Sequence, residues 1–350
     1  MGDEEWGQVT EVARRLTPPP THVSWGLTGD IHTLKAVNLD AVQSNGTYDF
    51  RPMFERVAPL LNWFDVASCH MEAPVAPPGT PIIVDAPMLS TAPSMVPALA
   101  GAGYDRCSTA SNHMMDRGVA GVDTTLGAFD AAGLGHTGAA RSADEARSVV
   151  FTVKGIRFAH LSYTFAVGNR PKSQPWRVNL INATAIIAAA RQARADGAQV
   201  VVLSLEWGVD GQSAVTAEQR SLARTITASG EIDLIVGHQA HLLQPIEQVN
   251  GVWVIYGMGN FISNLPGATW PAHCQDAAVF GVDFDIAADG SVTVSRPVVY
   301  PTWIDKLHGH VVRLTSEASD PTLSSSVRAS LRQSEARTRA LLGAYFAPTG

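Results

Sequence analysis

Only three cysteines occur in 350 residues, and Cys69, Cys107 and Cys274 show no paired spacing. Neither a disulfide framework nor a zinc ribbon is expected, and a reducing compartment is the expected home. No uninterrupted apolar run approaches the ~20 residues needed to cross a bilayer. Basic residues are not in excess, 25 against 32 acidic for a net charge of −7, and they do not cluster. That excludes a nucleic-acid footprint. The first twenty residues lack the basic start and apolar run of a signal peptide, so a cytoplasmic protein with a flexible segment at 1–20 is expected. There is no internal repeat and no low-complexity linker. What is present is the composition of an ordinary enzyme, long enough to bury a large core.

Strand and helix signals alternate along the rest of the chain. Residues 23–28, 65–69 and 279–286 read as strands, and 51–64, 94–102, 121–133, 180–196 and 214–229 as helices. Residues 148–153 and 157–163 flank Lys154-Gly155, a hairpin signal, and Asn250-Gly251 is a two-residue turn between strands at 246–249 and 252–255. Val200-Val201-Val202-Leu203 and Leu234-Ile235-Val236 are continuous apolar runs of the kind buried on both faces of a sheet. A strand at 292–299 closes the core. One domain is expected over residues 21–312, followed by a peripheral helix and tail at 313–350.

Polar clusters recur where these strands end. They are Gly29-Asp30-Ile31-His32, His70-Met71-Glu72, Ser111-Asn112-His113-Met114-Met115-Asp116, Glu206-Trp207-Gly208 and Gly237-His238-Gln239-Ala240-His241. Any one alone reads as a cap or a satisfied core histidine. Five carried on strand ends converge if the strands share a sheet, since ligands sit in the crevice at the carboxyl ends. Carboxylate, amide and imidazole donors brought together describe a metal site.

The order and spacing resemble the capsule-synthesis A (poly-γ-glutamate) family of the calcineurin-like metallophosphoesterase superfamily. The likeness rests on Gly29-Asp30, Met71-Glu72-x-Pro74, Ser111-Asn112-His113-x-x-Asp116-x-Gly118, Trp207-Gly208, Gly237-His238-x-x-His241 and Tyr256-Gly257-Met258-Gly259-Asn260-Phe261. It covers roughly residues 23–264. It implies an α/β fold, a calcineurin-like four-layer α/β/β/α sandwich of two packed mixed sheets with metal at one edge. Three positions depart from the pattern. His70 stands where the family usually has Asn, Glu206 where it has His, and Gln239 where it has the middle His of Gly-His-His-Pro-His. Carboxylate in place of imidazole shifts the expectation toward calcium or magnesium over manganese or zinc, and away from a standard two-metal centre.

Capsule-polymer members of the family usually carry an N-terminal hydrophobic segment. The chain is more similar to the soluble actinobacterial relatives, which include an enzyme that epimerises the C-terminal residue of a lasso-peptide precursor. The resemblance therefore implies a metal-dependent peptide epimerase, with a metal-dependent hydrolase of phosphoester or γ-glutamyl amide as the alternative. A binding module that has lost catalysis has no need of Asp30, Asn112, His113, His238 and His241. The expected partner is a precursor peptide, with no nucleic acid, membrane or organic cofactor. Inverting a Cα centre takes a base on one face and an acid on the other. His113 with Asp116 is the leading dyad, against the plainer reading of Asp116 as a helix cap. Asp30 with His32 or His241 is the second. Glu72, Asn112, Glu206 and His238 form the expected metal-facing set, although Glu206 could instead pair with a buried arginine. Trp176, Trp270 and Trp303 sit in Pro-bearing segments suited to a peptide groove, and His273 and His308 fall where loops could cover the site.

Overall fold

The computed structural model describes residues 21–83, 87–147, 150–168, 174–266 and 268–347, so the segment expected to be flexible at 1–20 lies outside it. The strands, in chain order, are β1 (Thr21–Ile31), β2 (Val66–Met71), β3 (Arg106–Ser108), β4 (Gly135–Thr137), β5 (Val150–Val153), β6 (Ile156–Thr164), β7 (Val200–Trp207), β8 (Leu234–Gln239), β9 (Ile246–Val249), β10 (Val252–Ile255), β11 (Asn260–Ile262), β12 (Asp276–Ile286), β13 (Val292–Val294), β14 (Val298–Asp305) and β15 (Val311–Leu314). One sheet runs β15-β14-β12-β1-β2-β3-β4, with β11 beside β1 and β13 beside β12; the other runs β5-β6-β7-β8-β10-β9. Both are mixed. The β1-β2-β3-β4 and β6-β7-β8-β10 runs are parallel, so their carboxyl ends gather along one edge of each sheet.

The period of two in each strand decides the layers. Trp25 and Leu27 of β1, Phe280 and Phe284 of β12, Phe158 of β6 and Val200 and Val202 of β7 pack into one core between the sheets. The alternate residues of β7, Val201, Leu203 and Leu205, face Ile186, Ala190, Ala223 and Ile226 on the outer helices. Ala67, Cys69 and Met71 of β2 likewise face Met53, Leu99 and Phe129. The result is the expected four-layer sandwich. Its helices are α1 (Lys35–Asp40), α2 (Arg51–Phe54), α3 (Ala58–Leu61), α4 (Met95–Ala102), α5 (Gly118–Ala131), α6 (Ala183–Ala195), α7 (Ala217–Thr227) and α8 (Ser325–Leu342).

Several local expectations are corrected. The single helix at 51–64 is two short ones, because Pro52 and Pro59 each lack the N–H that a continuing helix needs and each opens a new first turn. The strand at 292–299 divides into β13 and β14 around Pro297. Cys69 and Cys107 form a disulfide: they are register partners on the adjacent strands β2 and β3, with Cα atoms 4.5 Å apart. Their 38-residue separation carries no pairing signal, because the sheet and not the spacing brings them together. The Asn250-Gly251 turn is as expected, with φ of 50° and 85°. At the far end of the chain, Leu331 and Leu342 anchor α8 in buried positions, and Arg337 clamps Asp276 through two bonds of 2.6 and 2.7 Å.

Gly237 is required by contact rather than by conformation. A Cβ there would lie 1.9 Å from the Tyr256 carbonyl oxygen and 2.4 Å from the Trp207 indole nitrogen. Gly237→Ala is expected to destabilise the chain by about 3 kcal/mol or more. Gly101→Ala, whose Cβ meets nothing within 4 Å inside α4, should be neutral or stabilising by up to about 1 kcal/mol. Urea midpoints of the two variants provide the comparison.

Candidate metal centre

Asp30 on β1 and His70 on β2 are register partners in one sheet, and Glu206 on β7 and His238 on β8 are partners in the other. The two pairs meet across the gap between the sheets. His238 Nδ1 lies 2.8 Å from Asp30 Oδ1, and the His70 and His238 rings stack with centroids 4.0 Å apart. Glu72, one residue past β2, and His241, three past His238, complete the edge. All six side chains are buried.

Burial of this many polar groups without partners is costly, about 1–3 kcal/mol for each orphaned group. Yet Asp30 Oδ2, His70 Nε2, both Glu72 carboxylate oxygens and Glu206 Oε1 have no hydrogen-bond partner. Outer atoms of the same cluster, by contrast, are tied down. His70 Nδ1 is 2.8 Å from Ser108 Oγ, and His241 Nδ1 is 2.9 Å from Asn260 Oδ1. Glu206 Oε2 accepts the Asn112 backbone N–H at 2.7 Å and the Thr164 hydroxyl. Such outer partners orient metal ligands and leave their inner atoms free. Three groups have donor atoms within 4.8 Å of one another: Asp30, His70 and His238; Asp30, Glu72 and His241; and His32, Glu72 and His113. Asp30 and Glu72 each belong to two of them. The residues present therefore fit a divalent cation, with donors enough for neighbouring ions.

The electrostatics follow from burial and crowding. Burial raises the Asp30 pKa, but the bonds from His238 and His241 outweigh it and hold the carboxyl well below its usual range. Burial pushes Glu72 up to about 7 against the pull of His241. Burial, then the stacked His70, push His238 down to about 4. Burial lowers His241, but Glu72 and Asp30 overcome it and raise the imidazole to about 10. His32, buried beside His241 and His113, falls well below an ordinary imidazole.

The expected site residues fall into distinct places. His113 Nδ1 lies 2.6 Å from Asp116 Oδ2, which also accepts the Leu89 N–H at 2.7 Å. The residue capping α5 is Arg117, with no side-chain cap bond, so Asp116 serves the imidazole and not the helix. Asp30 has His238 as its nearest imidazole, with His241 Nδ1 at 3.5 Å from Oδ2. His32 instead stacks on His241 at 4.8 Å and approaches Ser263 Oγ. Asn112 reaches Glu206 through its backbone, while its side-chain Oδ1 accepts from Ser111 Oγ at 3.3 Å. Glu206 has no arginine partner among the described residues. Gln239 and His241 both adopt positive φ, 80° and 56°, the kind of backbone strain that gathers at functional sites. Trp270 sets its edge against His241 at 5.5 Å, whereas Trp303 packs under α8 with Val327 and Leu331 and so is not a groove residue. His308 bonds to Asp305. The sequence assigned no role to His70 and none of ligand support to Ser108, Thr164 or Asn260; His70 carried a signal in its place in a strand-end cluster and Asn260 in the Tyr256–Phe261 motif, whereas Ser108 and Thr164 carried none.

The sandwich aligns with the calcineurin-like phosphoesterase YfkN from Bacillus subtilis at a TM-score of 0.50, over 91% of this chain and 98% of that one, at 14% identity. The fold is thus calcineurin-like. Residues 25–265 match the bacterial capsule synthesis protein family PGA_cap, and the chain belongs to that family. Relatives include the capsule biosynthesis protein CapA of Bacillus anthracis, 30% identical over 60% of this chain and 53% of that protein. The PGA biosynthesis protein CapA of Bacillus subtilis is also 30% identical, over 60% of this chain and 56% of that protein. The chain spans about half the length of each. Among the described residues no helix is long and apolar enough to cross a membrane.

Elemental analysis of protein purified with a divalent metal is expected to return about two ions per chain, and His70→Ala or Glu206→Gln about one. EDTA should lower the melting temperature by removing the charge that the buried carboxylates face. A stoichiometry and a melting temperature unchanged in all these tests would remove the centre.

Proposed function

We propose that the chain is a metal-dependent hydrolase, acting on an ester or amide such as a γ-glutamyl linkage. The observation that carries it is the sharing of Asp30 and Glu72 between neighbouring donor groups, the arrangement needed to hold two ions side by side. Asp30, His70 and His238 would hold one ion, and Glu72 with His241 or His32 the other. The imidazole donors favour manganese, iron or zinc over the calcium or magnesium expected from Glu206 alone. A bound ion would supply Lewis-acid polarisation of the bond to be cleaved.

The chain's own acid is His113. Burial opposes its proton, but Asp116 and the Glu72 carboxylate outweigh burial and lift its pKa. Asp116 accepts at Nδ1, so the second ring nitrogen, Nε2, can donate to a leaving group. The names of the relatives, which refer to capsule and PGA biosynthesis, support a polymer or its amide linkages as substrate. The disulfide favours an oxidising compartment over the cytoplasmic one expected from composition.

A second reading, inversion of a peptide Cα, is supported by the presence of two imidazole–carboxylate dyads, His113–Asp116 beside the donor cluster and His238–Asp30 within it, the latter free to carry protons only if it does not hold an ion. The two readings separate in D₂O. A γ-glutamyl peptide, a lasso-type precursor peptide and a phosphodiester are incubated with the metal-loaded chain. Hydrolysis gives a free amine from the peptide, or a phosphomonoester and an alcohol from the diester, without deuterium at Cα; epimerisation gives a one-dalton gain and a D-residue. Under the first reading, Asp116→Asn should lower turnover by about 10²-fold or more. Removing the carboxylate lowers the His113 pKa, and an acid must be protonated to act. The alkaline limb of the pH–rate profile should therefore move to lower pH, and an unmoved limb would exclude His113 as the acid.

A further inference from the structure

A cavity of about 290 Å³ opens where β3 and β4 of one sheet meet β5 and β6 of the other. Arg106 lines it, only 6% exposed. Its Nε donates to His160 Nδ1 at 3.1 Å, and the Phe151 ring covers one face of the guanidinium 3.8 Å away. Because a guanidinium nitrogen can only donate, His160 must accept at Nδ1 and carry its proton on Nε2, toward Ser204 Oγ at 2.8 Å. Burial and the Arg106 charge keep that imidazole neutral.

No carboxylate pairs with Arg106 among the described residues. The adjacent Asp105 spends its Oδ2 on the Ala67 N–H at 2.7 Å. The two acids on the cavity wall, Asp130 and Glu145, are both taken by Arg141. Among the described residues Arg106 is thus a buried cation with one of its five N–H groups engaged by a side chain and its head facing an open volume. Unpaired buried charge is strongly unfavourable. Burial accordingly pushes the guanidinium down to about 9.

We infer that this cavity is a second ligand site, distinct from the metal centre, in which Arg106 binds a small monocarboxylate. A guanidinium presents parallel N–H groups that match a carboxylate fork. Arg147 also lines the cavity but pairs with Asp144, so among the described residues Arg106 is the buried lining cation left without a carboxylate, which suits one negative charge rather than two.

The test is a titration of the metal-loaded chain with sodium acetate, and separately with phosphate, at constant ionic strength. Melting temperature and calorimetric heat are read in the wild type, Arg106→Met, Arg106→Lys and Ala146→Trp. Ala146 lines the cavity, and a bulky side chain there would fill it while leaving Arg106 in place. Saturable acetate binding is expected in the wild type, weakened about tenfold or more in Arg106→Lys, which keeps the charge but not the fork. It should be lost in Ala146→Trp and Arg106→Met while metal content stays unchanged. Acetate held by the metal centre instead would survive in Arg106→Met and disappear with EDTA. That result would overturn the proposal, as would an absent wild-type response or tighter binding of phosphate than of acetate.

Discussion

The contact on which the site depends is the bond between Asp30 and His238. Each residue is fixed in its own sheet by strand register, Asp30 against His70 and Glu206 against His238. Two rigid pairs can meet across the gap only if both sheets stack with their carboxyl ends aligned. The apolar layer of Trp25, Phe158, Phe280 and Val202 sets that stacking. The hydrophobic core therefore supplies, at its edge, the geometry that the polar groups could not hold alone. Left to themselves, buried carboxylates at this density would protonate or draw in water.

Glu206 shows how a departure from a family pattern can be absorbed. One of its oxygens faces the cluster, 3.8 Å from His70 Nε2. The other ties the Asn112 backbone and the Thr164 hydroxyl. An imidazole could offer one nitrogen inward and one outward, but it could not accept both of these donors and still face the cluster. The carboxylate thus joins β7 to the segment that carries His113 and so helps to place that imidazole at the cluster. It does so while adding negative charge beside Asp30 and Glu72, which strengthens the demand for a cation.

Much of this was legible in the sequence. Apolar runs such as Val200-Val201-Val202-Leu203 announce strands buried on both faces, and the Asn250-Gly251 turn announces its own hairpin, because both signals are local. The five polar clusters at strand ends mark the site edge for the same reason. What was not legible depends on register between distant segments. β3, β4 and β11 have three residues each, too few for a period to show, yet β3 places Ser108 beside His70 and β11 places Asn260 beside His241. The choice of His238 over His32 as the closest partner of Asp30 is likewise made between sheets. The disulfide is a third case, since no spacing rule links residues joined only by neighbouring strands.

That disulfide also bears on the centre. Cys69 and Cys107 immediately precede His70 and Ser108, and the His70 Nδ1 contact to Ser108 Oγ fixes which nitrogen faces the cluster. A covalent link one residue away restrains the relative slide of β2 and β3 at the point where a shift of one residue would turn every side chain to the opposite face. Its general contribution to stability, about 2–4 kcal/mol for a loop of ordinary length, acts mainly on the unfolded chain. Its local contribution is different in kind. It holds the register that makes His70 a ligand-facing residue and keeps the His70–His238 stack opposite Asp30.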